Sequence, residues 1–336
     1  MKSKAKNGNL AKARKDKNDE FYTRYEDVEA EVRNYREHFR GKTVLCNCDD
    51  PLKSNFCKYF LLRFRWYGLK RLICTSYGGD KHGTVLNVGD VICSNGVAPT
   101  EDDVVETVMK AGVRHLEGNG DFRSPECVSL LDEADIVVTN PPFSLFREFV
   151  GLLMEHGKKF LILGSQNNAT YKEVFSLFMK NMVWLGYKTG DMSFMVPEDT
   201  EPRETRYWQD RSGQKWRSLG NICWFTNLDH RKRHEPLYLS EEYSEKRYTK
   251  YDNYDAIEVG RTDDIPKDYF GAMGVPITFL DKYCPEQFEI AGITGGAGVS
   301  GLYVEGCEKY DRPYLKGKRM YPRILIRRKG KDESNA

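Results

Sequence analysis

Residues 135–143 read Asp-Ile-Val-Val-Thr-Asn-Pro-Pro-Phe, a hydrophobic run that ends in Asn140-Pro141-Pro142-Phe143. These residue types suit one kind of chemistry, the activation of an amine conjugated to an aromatic ring. Such a nitrogen is a poor nucleophile because its lone pair is delocalised. A side-chain amide oxygen (Asn140) and a backbone carbonyl (Pro141) accept its two N–H bonds. That favours a tetrahedral nitrogen whose lone pair points at an electrophile. Two prolines stiffen the loop, since proline fixes φ and donates no hydrogen bond. Phe143 offers a face on which an extruded base stacks. No strong base is required, because the alkylated nitrogen is cationic and gives its proton to water. The bland alternative is a proline turn that merely reverses the chain.

The surrounding elements favour chemistry over a bare turn. Val28, Val32, Tyr35 and Phe39 recur at helical spacing over 26–40. Strands are predicted at 43–46, 71–74, 113–116, 135–139, 159–164, 182–187 and 221–227. Between them lie helices near Phe56–Phe64, at 101–111 (Thr100 as N-cap with Asp103), at 125–131, after a Ser144 cap, and at 171–180. A hairpin is expected over 85–92, turning at Gly89-Asp90. Strands alternating with helices make an α/β fold with a mainly parallel sheet. In such a sheet ligands bind beyond the C-terminal strand ends, where 140–143 falls. Residues 190–219, with Pro197 and Pro202, read as an insertion, and the rhythm stops near residue 230.

The chain has 336 residues, 40% of them hydrophobic, enough for about two domains and against a wholly disordered or collagen-like chain. No apolar run approaches the length of a membrane span, and the basic N-terminus has no apolar stretch after it, so no secretory signal is expected. Nine scattered cysteines without a CxxC pair argue against a disulfide framework or a metal site and for a reducing cytoplasm. The net charge of +2 hides a strong polarity. Residues 1–19 carry seven bases and two acids, and 312–331 carry nine bases and no acid. Residues 99–135 carry ten acids and three bases. A solubilising surface is the plain reading; two basic ends around an acidic middle point to a polyanion, with nucleic acid first. The candidate phosphate contacts are Lys12, Arg14, Lys15, Lys17, Arg231, Lys232, Arg233, Arg319 and Arg323.

Asn140-Pro-Pro-Phe143 matches the catalytic signature of amino-methyltransferases that use S-adenosylmethionine. The wider pattern resembles the EcoRI-type adenine-specific DNA methyltransferases. It is carried by Asp19-Glu-Phe-Tyr-Thr23, Cys46-Asn-Cys-Asp-Asp-Pro51, Ser54-Asn-Phe56, Asn140–Ser144, Thr170–Phe175, Lys250–Ile257 and Met273–Leu280. The resemblance covers most of the chain. It implies a Rossmann-like methyltransferase sheet with a smaller, irregular C-terminal recognition region. It also implies a basic DNA-contacting arm at 1–19 (disordered when free), a catalytic domain at 20–230 and target recognition at 231–336. Double-stranded DNA becomes the expected partner of a monomeric enzyme, and a cognate restriction endonuclease, not in complex with it, a further one.

Position by position, the resemblance implies a cofactor pocket of Phe21, Tyr22, Thr23, Cys48, Asp49, Asp50, Asp121, Phe122 and Asn140. Carboxylates there suit a ligand that carries an ammonium and a sulfonium. Asp49-Asp50-Pro51 also reads as a turn and helix start, and Tyr22 as core. The glycine-rich first turn common among methyltransferases is missing, with Cys48-Asp49-Asp50-Pro51 in its place. No acid ends the second strand, where Thr75-Ser76-Tyr77 stands, so the residue that holds the ribose is open. Similar motifs serve enzymes acting on RNA adenine or on a protein glutamine amide. A non-catalytic nucleic-acid-binding protein would not need a complete Asn-Pro-Pro-Phe, and a nicotinamide oxidoreductase would carry GxGxxG after its first strand.

Overall fold

The structure is a computed structural model that describes residues 21–295 and 312–330. The described chain forms two compact units, one of 21–165 with 188–228, the other of 166–187 with the residues from 229 onward. The strand–helix rhythm groups 166–187 with the first region. In the structure that segment folds with the second, because its helix, with Phe175 and Phe178 buried, packs on strand Phe288–Ile293.

The elements run β1 (Tyr22–Thr23), α1 (Tyr25–Val32), β2 (Thr43–Asn47), α2 (Asn55–Leu62), β3 (Arg71–Ser76), β4 (Thr84–Val88), α3 (Glu101–Ala111) and β5 (Arg114–His115). They continue with α4 (Pro125–Glu133), β6 (Ile136–Thr139), α5 (Phe146–Glu155), β7 (Lys159–Ser165), α6 (Lys172–Met179), β8 (Trp184–Met195), β9 (Tyr207–Gln209) and β10 (Lys215–Thr226). One sheet orders its strands β1-β8-β10-β7-β6-β2-β3-β4-β5, with β9 on β10. Its centre, β7-β6-β2-β3, is parallel. The β10–β7, β3–β4, β4–β5 and β1–β8 pairings on its flanks are antiparallel.

The parallel centre follows from composition. β2 and β6 are buried along their whole length, as expected of strands covered on both faces. From β2 the chain crosses by α2 to β3 on one side, while from β6 it crosses by α5 to β7 on the other. The order therefore reverses between β2 and β6, and the crevice of this Rossmann-like sheet opens at their C-terminal ends. The Thr100–Asp103 capping box starts α3 as its spacing predicts.

Three expectations differ. No hairpin turns at Gly89-Asp90: β4 is a single strand running back along β3, and the reversal falls in 77–83, where Gly79 adopts a positive φ. The N-cap position of helix α5 falls on Leu145 rather than Ser144. The chain leaves Pro142 through a 3-10 turn, Phe143–Leu145, closed by the Leu145 N–H on the Pro142 carbonyl at 2.9 Å, and α5 begins at Phe146. Residues 190–219 contain the outer parts of β8 and β10 together with β9; the prolines that suggested an insertion lie in the connections.

In the second unit β11 (Ile257–Glu258), β12 (Met273–Val275), β13 (Phe288–Ile293) and β16 (Ile324–Arg328) form a four-stranded sheet ordered β11-β12-β16-β13. β14 (Tyr314–Leu315) and β15 (Lys318–Arg319) make a separate hairpin. Among the described residues no helix is long and apolar enough to cross a membrane.

Gly164 of β7 is required by packing. A Cβ there would lie 2.5 Å from the Phe146 ring and 3.0 Å from that of Phe225, both fully buried. Gly164→Ala is expected to destabilise the first unit by about 1–3 kcal/mol, read as a lower midpoint in thermal denaturation. An unchanged midpoint would show that α5 shifts freely on the sheet.

Candidate active site

The two strands at the reversal deliver the central groups. β2 ends at Asn47 and turns through Cys48–Pro51 into α2, whose first turn is capped by the Ser54 hydroxyl accepting the Phe56 N–H at 3.0 Å. β6 ends at Thr139 and delivers Asn140-Pro141-Pro142-Phe143. Asp49 sits between them, 7% exposed. Its carboxyl receives the Ser54 hydroxyl at 2.6 Å, the Thr139 hydroxyl and the Asn140 backbone N–H. Burial pushes its pKa up to about 7, outweighing what these donors do to lower it. The Thr139 hydroxyl also lies against the Asn47 carbonyl.

Asn140 is held on one side and left open on the other. Its Nδ2 donates to the Phe21 carbonyl at 2.7 Å, which fixes the amide orientation because a carbonyl cannot donate. Its Oδ1 is buried and has no hydrogen-bond partner. Thr23 Oγ1 and Asn47 Oδ1 share that condition. A buried acceptor left unmade costs about 1–3 kcal/mol, so these atoms are primed for a donor.

β1 brings the aromatic wall. Tyr22 pairs with Met195 and Thr23 with Phe194 of β8, and Asn55 Nδ2 donates to the Thr23 carbonyl at 2.8 Å. Phe21 then stacks on Phe143, with centroids 5.7 Å apart and planes at 21°, and Phe194 meets Phe21 edge-on at 5.6 Å. The Arg217 guanidinium lies 5.4 Å from the Phe21 centroid. Arg217 and Phe194 escape the sequence reading because 190–219 bears no motif. The alternation Met192-Ser193-Phe194 is the one signal of a half-buried strand there.

Cys48 answers the missing glycine, taking φ 73°, the left-handed conformation that glycine would adopt freely. For a residue with a side chain this costs roughly 1–2 kcal/mol. Asp50 is half-buried, and its Oδ1 accepts the Leu52 N–H at 2.9 Å. Burial does most to raise the Cys48 thiol pKa, and Asp49, Cys127 and Asp121 add to it in that order. Gly120 presses on the end of β3 so closely that a Cβ would fall 2.1 Å from the Ser76 carbonyl. Arg123 grips the Asp121 carboxylate through Nε at 2.9 Å and Nη2 at 2.6 Å, which holds it below the usual carboxylate range. Phe122, 4% exposed, packs edge-on against Phe149 at 5.0 Å and is a core ring. Among the described residues no cluster of His, Cys, Asp and Glu could hold a metal ion.

The basic candidates divide. Lys12, Arg14, Lys15 and Lys17, with the 1–19 segment, lie outside the described residues. Three others are engaged within the second unit. Lys232 binds the Tyr187 carbonyl at 2.9 Å and Asp281 at 2.6 Å. Arg233 lies over Trp184 at 3.7 Å and binds Asp229 and Asn181. Arg323 pairs with Glu258 at 2.7 Å, both side chains 13% exposed. Arg231 and Arg319 are exposed. Composition counts charge; it does not register which charges the fold itself consumes.

A family model described as "Adenine-specific methyltransferase EcoRI" matches residues 9–329. The Type II methyltransferase M.EcoRI of Escherichia coli is 46% identical over 331 residues, 95% of this chain and 99% of that protein. The Type II methyltransferase M.MpnI of Mycoplasma pneumoniae is 37% identical over 332 residues, 95% of this chain and 97% of that protein.

The buried Asp49 makes a pH-dependent contribution of definite sign. A carboxyl whose pKa rises from 3.8 unfolded to about 7 folded binds its proton more tightly in the native state. Its contribution to stability is therefore greatest below about pH 4, is lost as the pH rises to 7 and is constant above. Asp49→Asn keeps the shape without the ionisation. Its melting temperature relative to the unaltered chain is expected to climb from pH 4.5 to pH 8, in parallel scans on the two proteins. A difference that does not vary with pH would mean that Asp49 titrates normally.

Proposed function

The chain belongs to the EcoRI family of adenine-specific methyltransferases, and from that membership we propose how its residues divide the work. It is a site-specific DNA methyltransferase that acts on the exocyclic amine of adenine. The observation that carries the residue assignment is the buried, partnerless Oδ1 of Asn140 in the Asn-Pro-Pro-Phe segment.

The methyl donor is S-adenosylmethionine, which when bound supplies an electrophilic methyl on a sulfonium. The chain's residues fit it. Asp50 and Asp121 offer carboxylates to its positive groups, while Phe21, Tyr22, Thr23, Cys48 and Asn140 frame the pocket. Phe122 supports Asp121 from the core, and Asp49 fixes the first turn on which the amino-acid end rests. Asn140 Oδ1 and the Pro141 carbonyl accept the two N–H bonds of the adenine amine, and Pro142 stiffens the loop. The nitrogen lone pair directed in this way would bond to the methyl carbon as the carbon–sulfur bond of the sulfonium breaks and leaves a neutral thioether. The methylated nitrogen would give its proton to water. An adenine in duplex DNA must first leave the stack, which costs a few kcal/mol, and Phe143 recovers part of this by stacking.

DNA is held by the basic arm of residues 1–19 and by 231–336, with Arg231 and Arg319 among its exposed cations. One active site methylates one strand at a time, so a monomer suffices. The wider setting is a bacterial cytoplasm, with an endonuclease that cleaves the same unmethylated site and does not bind this chain.

Asn140→Ala is expected to bind cofactor and DNA and to lose most turnover, measured by methyl incorporation into unmodified duplex. Turnover at the unaltered rate would remove the assignment. Phe143→Ala is expected to give a smaller fluorescence gain with 2-aminopurine at the target position. For Asp121→Ala, which removes one carboxylate and leaves Arg123 with Glu148 alone as its acidic partner, calorimetry is expected to show cofactor affinity lower by about tenfold, or about 1.4 kcal/mol. Unchanged affinity would remove Asp121 from the pocket.

A further inference from the structure

Residues 314–319, Tyr-Leu-Lys-Gly-Lys-Arg, form the β14–β15 hairpin with Tyr314 opposite Arg319 and Leu315 opposite Lys318. Its two-residue turn has φ 51° at Lys316 and φ 75° at Gly317. Positive φ at both positions is the type I′ turn, whose first place favours Asn, Asp or Gly. Lysine gains nothing there as a turn residue.

The unfavourable choice is stabilised from outside. The Asp252 carboxylate accepts the N–H of Lys316 at 3.2 Å and of Gly317 at 2.8 Å. Asn253 accepts the Tyr314 N–H at 2.8 Å and donates to the Arg312 carbonyl at 3.1 Å. The Met320 N–H on the Pro313 carbonyl at 2.8 Å extends the ladder by one pair. Leu315 packs against a core of Tyr251, Tyr254, Ala256, Ala272 and Leu325. One side chain thus roots the hairpin, whereas Lys316, Lys318 and Arg319 are exposed and Tyr321 just beyond is 76% exposed. The described residues 312–330 carry no acid.

A loop held this firmly, with cations where the turn chemistry asks for something else, is shaped for an external anion. We propose that the β14–β15 hairpin is a preformed finger that contacts the phosphates of duplex DNA through Lys316, Lys318 and Arg319. The proposal rests on the DNA-methyltransferase reading above and names a contact element within it. Because Asp252 and Asn253 fix the backbone in advance, little ordering remains to be done on binding. The contacts are to phosphate, so they strengthen binding to target and non-target duplexes alike.

Lys316→Asn separates the two roles of this position. Asparagine suits the left-handed turn better, so a purely structural role predicts an equal or higher melting temperature and unchanged DNA binding. The finger predicts the same melting temperature result together with a slope of log K against log salt reduced by about 0.9. It also predicts affinity several-fold lower at low salt for any duplex sequence. The measurement is fluorescence anisotropy of the full chain on a labelled duplex over a salt series. Lys318→Gln serves as the second variant, with the same expectation, should the first fail to fold. Slopes identical to that of the unaltered chain would overturn the finger alone, whereas an unaltered chain without salt-dependent duplex affinity would overturn the DNA reading together with it.

Discussion

One buried carboxyl joins the two halves of the first unit's crevice. Asp49 belongs to the turn after β2, yet its bonds reach Ser54 at the start of α2, Thr139 at the end of β6 and the backbone of Asn140. Parallel strands that diverge at a reversal point have no backbone ladder to hold their loops together beyond the last pair. The register between β2 and β6 ends at Leu45 and Val137, short of both loops. Asp49 continues that pairing through side chains. A charged carboxylate in this position is expensive, as the raised pKa reports, and the fold tolerates it because three donors converge there.

The same economy governs Asn140. An amide has two ends, and only one of them is satisfied, by a carbonyl of the residue that enters β1. The constraint is directional: because the Phe21 carbonyl takes the N–H₂ end, the oxygen end is the one left without a partner. An acceptor fixed by the fold needs no reorganisation when a donor arrives, which is where a preorganised site gains over water. The Phe21–Phe143 stack makes the aromatic wall a product of the same short strand.

Much of this was legible in the sequence, and the reasons for the rest are specific. Asn140-Pro141-Pro142-Phe143 stands out because two adjacent prolines after a β-branched strand admit few explanations. The parallel centre was readable for a related reason, since strands buried on both faces spell themselves out in Val, Ile and Leu. The strut at Asp49 was readable as an acid but not as a strut: its partners lie five and ninety residues further along the chain. Cys48 hid the left-handed turn by putting a side chain where glycine is expected. Lys232, Arg233 and Arg323 looked like surface charge, because sequence carries no sign of the Asp281, Trp184 or Glu258 that each one meets. The full length of β8 was missed because 190–219, with Pro197, Pro202 and many charges, read as an insertion, whereas pairing within the sheet carries the strand on to Met195.

The pairing of β1 with β8 bears on how the protein is made. Tyr22 meets Met195, a partner synthesised about 170 residues later. At ordinary rates of translation that interval is roughly 10–35 s, during which the first strand has been made and has nothing to pair with. Throughout that time the Phe21 carbonyl cannot be fixed, and with it neither can the Asn140 amide nor the stacked ring of Phe143. The central strands β2, β3, β6 and β7 are all complete before β8 leaves the ribosome. The nascent chain therefore has its scaffold before its site, and the ordering of the crevice is a late event set by the rate of chain synthesis.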